Sequence, residues 1–281
     1  MRGVSLTFDG LNVRGFSRAG DETWFRVDPP GLALDVGRGA PPLVGARWIF
    51  LSHGHLDHSV GIPWVLTQRK LQGLDAATIL CPKAVAEDLR QYITAGGRLE
   101  GEDLDTEVVG LETGESWELE RGLRLEVFDV SHTVPALGCH LVRRRMKLRS
   151  EFEGRSPLEV ADLKRSGVEV VRESEDLWLS YCGDSSATVF TSEPRVFDAK
   201  ILLVECTFLG PETRAHGERF GHMHLQDLAA VADRFENEAI VLHHLSRRHR
   251  MADLEEAVMR ELPELAEKIH FITGDELRAG E

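Results

Sequence analysis

At 281 residues, with 42% hydrophobic and 28% charged side chains, the chain is long enough to bury a core of its own and too balanced to be disordered or fibrous. A formal net charge of −14, from 33 Lys and Arg against 47 Asp and Glu, argues against a broadly basic nucleic-acid-binding surface, so any such contact must be local. No run is apolar enough to cross a bilayer, and glycine and charge interrupt Met1–Asp9 before a signal peptide could form, so the cytoplasm or another reducing compartment is the expected location.

In chain order, the turns Asp28-Pro29-Pro30-Gly31 and Gly39-Ala40-Pro41-Pro42 cut the opening into short strands, Leu6–Phe8, Trp24–Val27, Leu32–Val36 and Trp48–Leu51. A helix follows over Ile62–Leu71, with Pro63 in its first turn, then a strand over Thr78–Cys81. Lys83–Ala95 reads as a helix stopped by Gly96-Gly97. Leu123–Val130 alternates like a strand, whereas Leu177–Cys182 and Ile201–Cys206 read as buried strands. Pro157–Gly167 is a short helix candidate and Leu225–Phe235 an amphipathic helix. Ala239–His243 is a buried strand, Leu254–Glu261 a helix, and Ile269–Thr273 a last strand. Strands and helices alternate in both halves, which fits one α/β domain over 1–281, an αββα sandwich with two sheets inside and helices outside. Cys81, Cys139, Cys182 and Cys206 lie in or beside apolar runs with no C-x-x-C pair, and are expected to be small buried hydrophobes.

The segment Leu51-Ser52-His53-Gly54-His55-Leu56-Asp57-His58 begins where a buried strand ends. Residues two apart on extended backbone point the same way, so His53 and His55 can converge on one ion while Asp57 and His58, on the turn beyond, face a second. His132, Asp184 and His244 each follow a strand and complete a set of five histidines and two aspartates, with Asp184 placed to serve both ions if it bridges. Imidazole and carboxylate donors without thiolate suit two Zn²⁺, and would also suit Mn²⁺, Fe²⁺ or Co²⁺.

These residues resemble a known family. His53-Gly54-His55-Leu56-Asp57-His58 is similar to the H-x-H-x-D-H signature of the metallo-β-lactamase fold. Ser131-His132-Thr133, Gly183-Asp184-Ser185, Glu205-Cys206-Thr207-Phe208, Gly221-His222 and His244-Leu245-Ser246-Arg247-Arg248 resemble, in order, further segments of ribonuclease Z, the tRNA 3′-processing endoribonuclease. The resemblance implies that His53, His55 and His132 hold the first ion, that Asp57, His58 and His244 hold the second, and that Asp184 bridges. It also implies that Asp57 takes a proton from water, and that His222, oriented by Glu205, donates one to the leaving oxygen or steadies the scissile phosphate. It implies a homodimer joined through Ile62–Leu71 and precursor tRNA as substrate. The family's Thr and final Tyr are His243 and His249 here, and His243 is expected to face away from the ions. No Gly/Pro-rich run separates His132 from Asp184, so the chain resembles short-armed members.

The one concentrated positive feature is Arg143–Arg149. If Cys139–Val142 is a strand that continues, Arg143, Arg145, Lys147 and Arg149 share one face, a stripe about 20 Å long. It reads equally as an RNA contact or as an edge strand protected by charge. The leading functional expectation is therefore removal of the 3′ trailer from precursor tRNA. The alternatives are a small-molecule phosphodiesterase or other ester hydrolase on the same metal core, and a non-enzymatic, metal-dependent RNA-binding scaffold.

Overall fold

The computed structural model describes residues 4–272; Met1–Gly3, and Thr273 of the last expected strand, lie outside the described residues. Two sheets of seven strands each are built in strict chain order. The first contains β1 (Val4–Phe8), β2 (Leu11–Arg18), β3 (Glu22–Asp28), β4 (Leu32–Val36), β5 (Trp48–Phe50), β6 (Ala77–Pro82) and β7 (Thr106–Leu111). The second contains β8 (Ser116–Glu120), β9 (Leu123–Asp129), β10 (Leu137–Leu148), β11 (Val171–Tyr181), β12 (Ile201–Glu205), β13 (Ala239–His243) and β14 (Ile269–Phe271). Each sheet starts as an antiparallel meander and ends in parallel strands, from β4 onward in the first and from β11 onward in the second.

Parity explains the layers. Leu32, Leu34, Trp48 and Phe50 pack with Leu125, Val127, Leu203 and Val241 between the sheets. Their neighbours turn outward: Ala33 and Ile49 meet Ile62, Val65, Leu89 and Ile93 of α2 (Ile62–Leu71) and α3 (Ala86–Glu100). On the other side, Leu202, Val204, Ile240 and Leu242 meet Leu225, Leu228, Leu254 and Val258. The inner strands are covered on both faces, which is why they read as continuous apolar runs. The αββα sandwich expected from the alternation of elements is the fold observed. The shorter helices are α1 (Leu56–Ser59), α4 (Pro157–Arg165), α5 (Val189–Ser192), α6 (Arg214–Phe220) and α7 (Leu225–Ala229); α8 (Met251–Glu261) lies on the second sheet.

Several elements differ from the sequence reading. Strand β2 was not anticipated because Gly15 and Ser17 occupy half its buried face; Gly15 leaves room for the Phe25 ring, 2.3 Å from where a Cβ would stand. Edge strands β7 and β8 carry mixed polar patterns that conceal them. Helix α3 does not stop at Gly96-Gly97 but runs to Glu100, and Gly101 caps it in the left-handed conformation (φ 75°). The two glycines serve packing instead, since a Cβ on Gly96 would fall 2.6 Å from Pro63 Cβ on α2. The expected Leu225–Phe235 helix ends at Ala229, and a 3₁₀ turn over Ala232–Arg234 carries Phe235 into a cluster with Phe190 and Phe197, at ring distances of 5.7 and 5.0 Å. All four cysteines are buried, as expected.

Gly96→Ala should lower stability by about 1–3 kcal/mol, because separating α2 from α3 outweighs the roughly 1 kcal/mol of added helix propensity. A urea midpoint equal to or above that of the wild type would contradict this account of the glycine.

Candidate metal centre

The expected site residues gather at the C-terminal edge of the parallel strands, where loops from both sheets meet. His53, His55, Asp57 and His58 follow β5; His132 follows β9; Asp184, Glu205 and His244 stand at the ends of β11, β12 and β13. The sheets are stitched at this edge by the bridge between His53 and Ala136, by Leu137 N–H to Ser52 O (2.9 Å), and by His244 N–H to Ser17 Oγ (2.9 Å). Asp35 (φ 54°) and His244 (φ 59°) hold left-handed backbone at strand ends. Such backbone is strained in a non-glycine residue and is retained where the surrounding structure demands it. At His244 it re-aims a ring that a continued strand would send to the opposite face from His243.

Two groups of donors result. His53, His55, His132 and Asp184 offer ligand atoms that lie within 4.8 Å of one another, and so do Asp57, His58 and His244. Asp184 Oδ2 lies between the groups, 3.4 Å from His58 Nε2, 3.2 Å from His244 Nε2, 3.7 Å from His53 Nε2 and 3.9 Å from His132 Nε2. Donors about 2.1 Å from a tetrahedral ion lie about 3.4 Å apart, so these spacings suit ligation. Asp57 Oδ2 accepts from Gly20 N–H (3.0 Å) and lies 3.6 Å from His244 Nε2. Burial pushes its carboxyl up, but His244 and His58 outweigh this and hold Asp57 ionised.

Two buried carboxylates behind the ligands set the tautomers, and the sequence reading anticipated only one of them. Asp35 accepts four hydrogen bonds: Ser52 N–H (2.7 Å), Ser52 Oγ (2.8 Å), His58 Nδ1 (2.7 Å) and Tyr181 Oη (2.6 Å). Because the Ser52 hydroxyl donates its single proton to Asp35, it accepts from His53 Nδ1 (2.9 Å). Glu205 likewise accepts four, from Ser185 N–H (2.8 Å), Met223 N–H (3.1 Å), Thr207 Oγ1 (2.5 Å) and His222 Nδ1 (2.9 Å). Thr207, its proton spent on Glu205, accepts from His244 Nδ1 (3.1 Å). His53, His58 and His244 each bond through Nδ1 and turn an Nε2 that has no protein partner toward Asp184.

The bare atoms carry the fit. His53 Nε2, His58 Nε2, His244 Nε2 and Asp184 Oδ1 are buried without any protein hydrogen-bond partner. Orphaned groups of this kind cost about 1–3 kcal/mol each, and a cation satisfies them together. The cluster is able to bind metal. Asp35 and Glu205 also lie within reach of it, but their oxygens are already committed to four donors each.

His222 packs face to face with His244, at 5.1 Å between rings. Burial lowers its pKa, but the Glu205 carboxylate more than reverses this and lifts it to about 9. His243 faces the core between Phe25 and Tyr181, at 5.2 and 5.6 Å, and burial holds it neutral with a pKa of about 3. Missed by the sequence reading were Asp35, Ser52, Tyr181 and Thr207 as orienting groups; Asp35 directly before Val36-Gly37 at a strand end was the available signal.

Arg143, Arg145 and Lys147 share a face of β10 as expected, far from this edge: Arg143 lies seven residues beyond the Ala136 bridge, about 23 Å along the strand. They converge on Asp9 and Asp176, with Arg143 2.7 Å from Asp9, Arg145 3.2 Å and Lys147 2.8 Å from Asp176, and Lys200 joining at Asp9 (2.8 Å). Arg149 pairs with Glu169. β10 and β11 extend together as a hairpin whose connection carries α4, begun by a Ser156–Glu159 capping box.

Asp35→Asn should weaken metal affinity about 10- to 100-fold by releasing the tautomers of His58 and His53. Metal titration read by the shift in melting temperature checks this, and an unchanged affinity would remove Asp35 from the role.

A family model for the beta-lactamase superfamily domain matches residues 35–245. The chain is 28% identical over 272 residues to a tRNase Z of Arabidopsis thaliana, covering 96% of this chain and 97% of that protein. It is 33% identical over 165 residues to a nuclear ribonuclease Z of Triticum aestivum, covering 59% of this chain and 94% of that protein. Among solved structures, human tRNase Z, short form, superposes with a TM-score of 0.54 at 19% identity over 88% of this chain and 91% of that one. The Zn²⁺-bound PqqB of Methylobacterium extorquens superposes with a TM-score of 0.62 at 16% identity over 92% and 96%. The chain belongs to the β-lactamase superfamily and, within it, to the ribonuclease Z family.

Proposed function

We propose that this protein, acting as one domain over residues 1–281, is a metal-dependent endoribonuclease that removes the 3′ trailer from precursor tRNA. The products would be a 3′-hydroxyl on the tRNA and a 5′-phosphate on the trailer. The observation that carries this reading is the Glu205–His222 pair (2.9 Å) beside the His/Asp cluster, which adds a proton donor to a hydrolytic metal site. Relatives similar over nearly the whole chain are named for this activity.

Two Zn²⁺ suit the donors, one held by His53, His55 and His132, the other by Asp57, His58 and His244, with Asp184 between them; Mn²⁺, Fe²⁺ or Co²⁺ would suit them too. Bound there, such ions acidify the attacking water and offset charge on the phosphate. Asp57, ionised and steadied by Gly20 N–H, takes the proton of that water. His222 holds its Nδ1 on Glu205 and presents Nε2 with a proton for the leaving 3′-oxygen.

Arg143, Arg145 and Lys147 on β10, with Lys200 just before β12, face three carboxylates, Asp9, Asp176 and Glu238, and this local excess of one cation supports RNA contact; Arg149 extends the same stripe. Exposed Leu56, Val60, Trp64 and Leu71 on α1, α2 and the intervening turn support a homodimer through this face. Four buried free cysteines support a reducing compartment, the cytoplasm by default, and no helix among the described residues is long and apolar enough to cross a membrane.

The primary test is cleavage of a 3′-extended precursor tRNA, beside bis(p-nitrophenyl) phosphate, by wild type and Asp57→Ala. One cut after the discriminator base, lost by at least about 10³-fold in the variant, is expected; turnover of the small diester alone would turn the reading to a small-molecule phosphodiesterase. In Glu205→Gln, loss of the carboxylate that raises His222 should move the alkaline limb of the kcat profile to lower pH, and an unmoved limb would remove His222 as the acid. Neutralising Arg143, Arg145 and Lys147 together should weaken RNA binding and flatten its salt dependence; the same slope as wild type would exclude the stripe. Sedimentation of wild type and Trp64→Glu reads the dimer, and cell fractionation reads the location.

A further inference from the structure

A cavity of about 170 Å³ opens beside His222, outside the metal cluster, and is lined by Ser186, Thr188, Arg214, Gly217, His222 and Asp227 among others. Its position is set by the centre. Ser186 lies two residues beyond Asp184 and donates its N–H to Ser131 O (3.0 Å), next to His132. Gly217 lies against the His222 carbonyl, 3.1 Å from where a Cβ would stand, so a side chain there would crowd the floor. The cavity therefore shares a wall with the groups that face the leaving oxygen.

Its chemistry is that of an anion site. Asp227 holds the Arg214 guanidinium through Nη2 (2.7 Å) and uses its other oxygen to accept His224 N–H (2.9 Å), so its carboxylate is committed to positioning the arginine and the start of α7. Opposite, the Ser186 and Thr188 hydroxyls bond each other (2.8 Å). That bond uses one of their two protons and leaves the other to donate. A guanidinium facing a hydroxyl donor across a small cavity matches a phosphodiester oxygen better than a base edge, which would also require an acceptor array.

The reaction then identifies which phosphate. His222 protonates the 3′-oxygen of the nucleoside that becomes the tRNA terminus, and the next phosphate toward the 5′ end is attached to that same nucleoside. We propose that Arg214, with Ser186 and Thr188, binds the phosphate one nucleotide 5′ of the scissile bond, and so holds the last tRNA nucleotide with its 3′-oxygen at His222. This rests on the tRNA-processing reading and deepens it: the site would read the backbone on the tRNA side of the cut and be indifferent to the base.

The test couples protein to substrate. Precursor tRNA is prepared with the ordinary linkage, or with a neutral methylphosphonate at the phosphate one nucleotide 5′ of the cleavage site, and each is cleaved by wild type, Arg214→Ala and Arg214→Lys. Wild type should lose roughly tenfold to a hundredfold in kcat/KM on the neutral linkage, the size of one charge-assisted contact. Arg214→Ala should cleave both substrates at the same reduced rate, and Arg214→Lys should recover part of the preference. Indifference of wild type to the linkage overturns the assignment whatever the variants do, as do losses that simply multiply. A loss on an abasic terminal nucleotide with no loss on the neutral linkage would make the cavity a base pocket instead. Failure of wild type to cut the unmodified precursor would refute the tRNA reading itself, an outcome distinct from cleavage that ignores the linkage.

Discussion

A buried carboxylate accepting four hydrogen bonds is the constraint from which the rest of this site follows. Asp35 has no solvent to stabilise its charge, so burial is tolerable only with a full set of donors. Those donors come from both sheets: Ser52 and His58 beyond β5, and Tyr181 at the end of β11. Meeting its demand closes the sandwich at one edge, directs the Nδ1 protons of His58 and His53 inward, and leaves both Nε2 atoms facing Asp184. Glu205 does the same on the other side, through His222 directly and His244 by way of Thr207. The candidate ligand atoms of His53, His58 and His244 are thus oriented by a hydrogen-bonded layer beneath them.

The electrostatics reconcile an acidic chain with a polyanionic substrate. The net charge of −14 is a sum over the surface and does not describe the places where RNA would lie. Along β10 the arginines and lysine are gathered by two aspartates, which keep the cations ordered without cancelling them. At the cavity beside His222, Asp227 plays the same part for Arg214. Near Asp57, Asp21 holds both Arg38 and Arg247 (2.6 Å to Arg38). Where carboxylates hold more cations than their own number, as along β10 and at Asp21, local positive potential coexists with overall negative charge.

The fold was legible where burial is two-sided and hidden where it is not. Strands β4 and β13 match the sequence reading residue for residue, because apolar runs are unambiguous when both faces are buried; helix α2 matches it too, marked by Pro63 in its first turn. Strand β2 was hidden by Gly15 and Ser17, chosen for close approach and for a hydrogen bond to Thr23. Gly96 and Gly97 looked like a helix stop because their reason lies on a neighbouring helix. The end of α7 at Ala229 was decided by Phe235 finding two aromatic partners that are distant in sequence.

By itself the sequence marked the candidate ligands and their order, since metal chemistry selects His and Asp and a strand followed by a tight turn places four of them within a few residues. It also marked Glu205 and His222 as a pair through family resemblance. Only the tertiary structure decided which nitrogen of His53, His58 and His244 is left without a protein partner, because that depends on Asp35, Ser52, Glu205 and Thr207 arriving from separate strands. It also decided that the basic stripe is braced by Asp9 and Asp176, and that a cavity with its own arginine lies beside His222. Those outcomes rest on contacts between residues far apart in the chain, which local periodicity cannot encode.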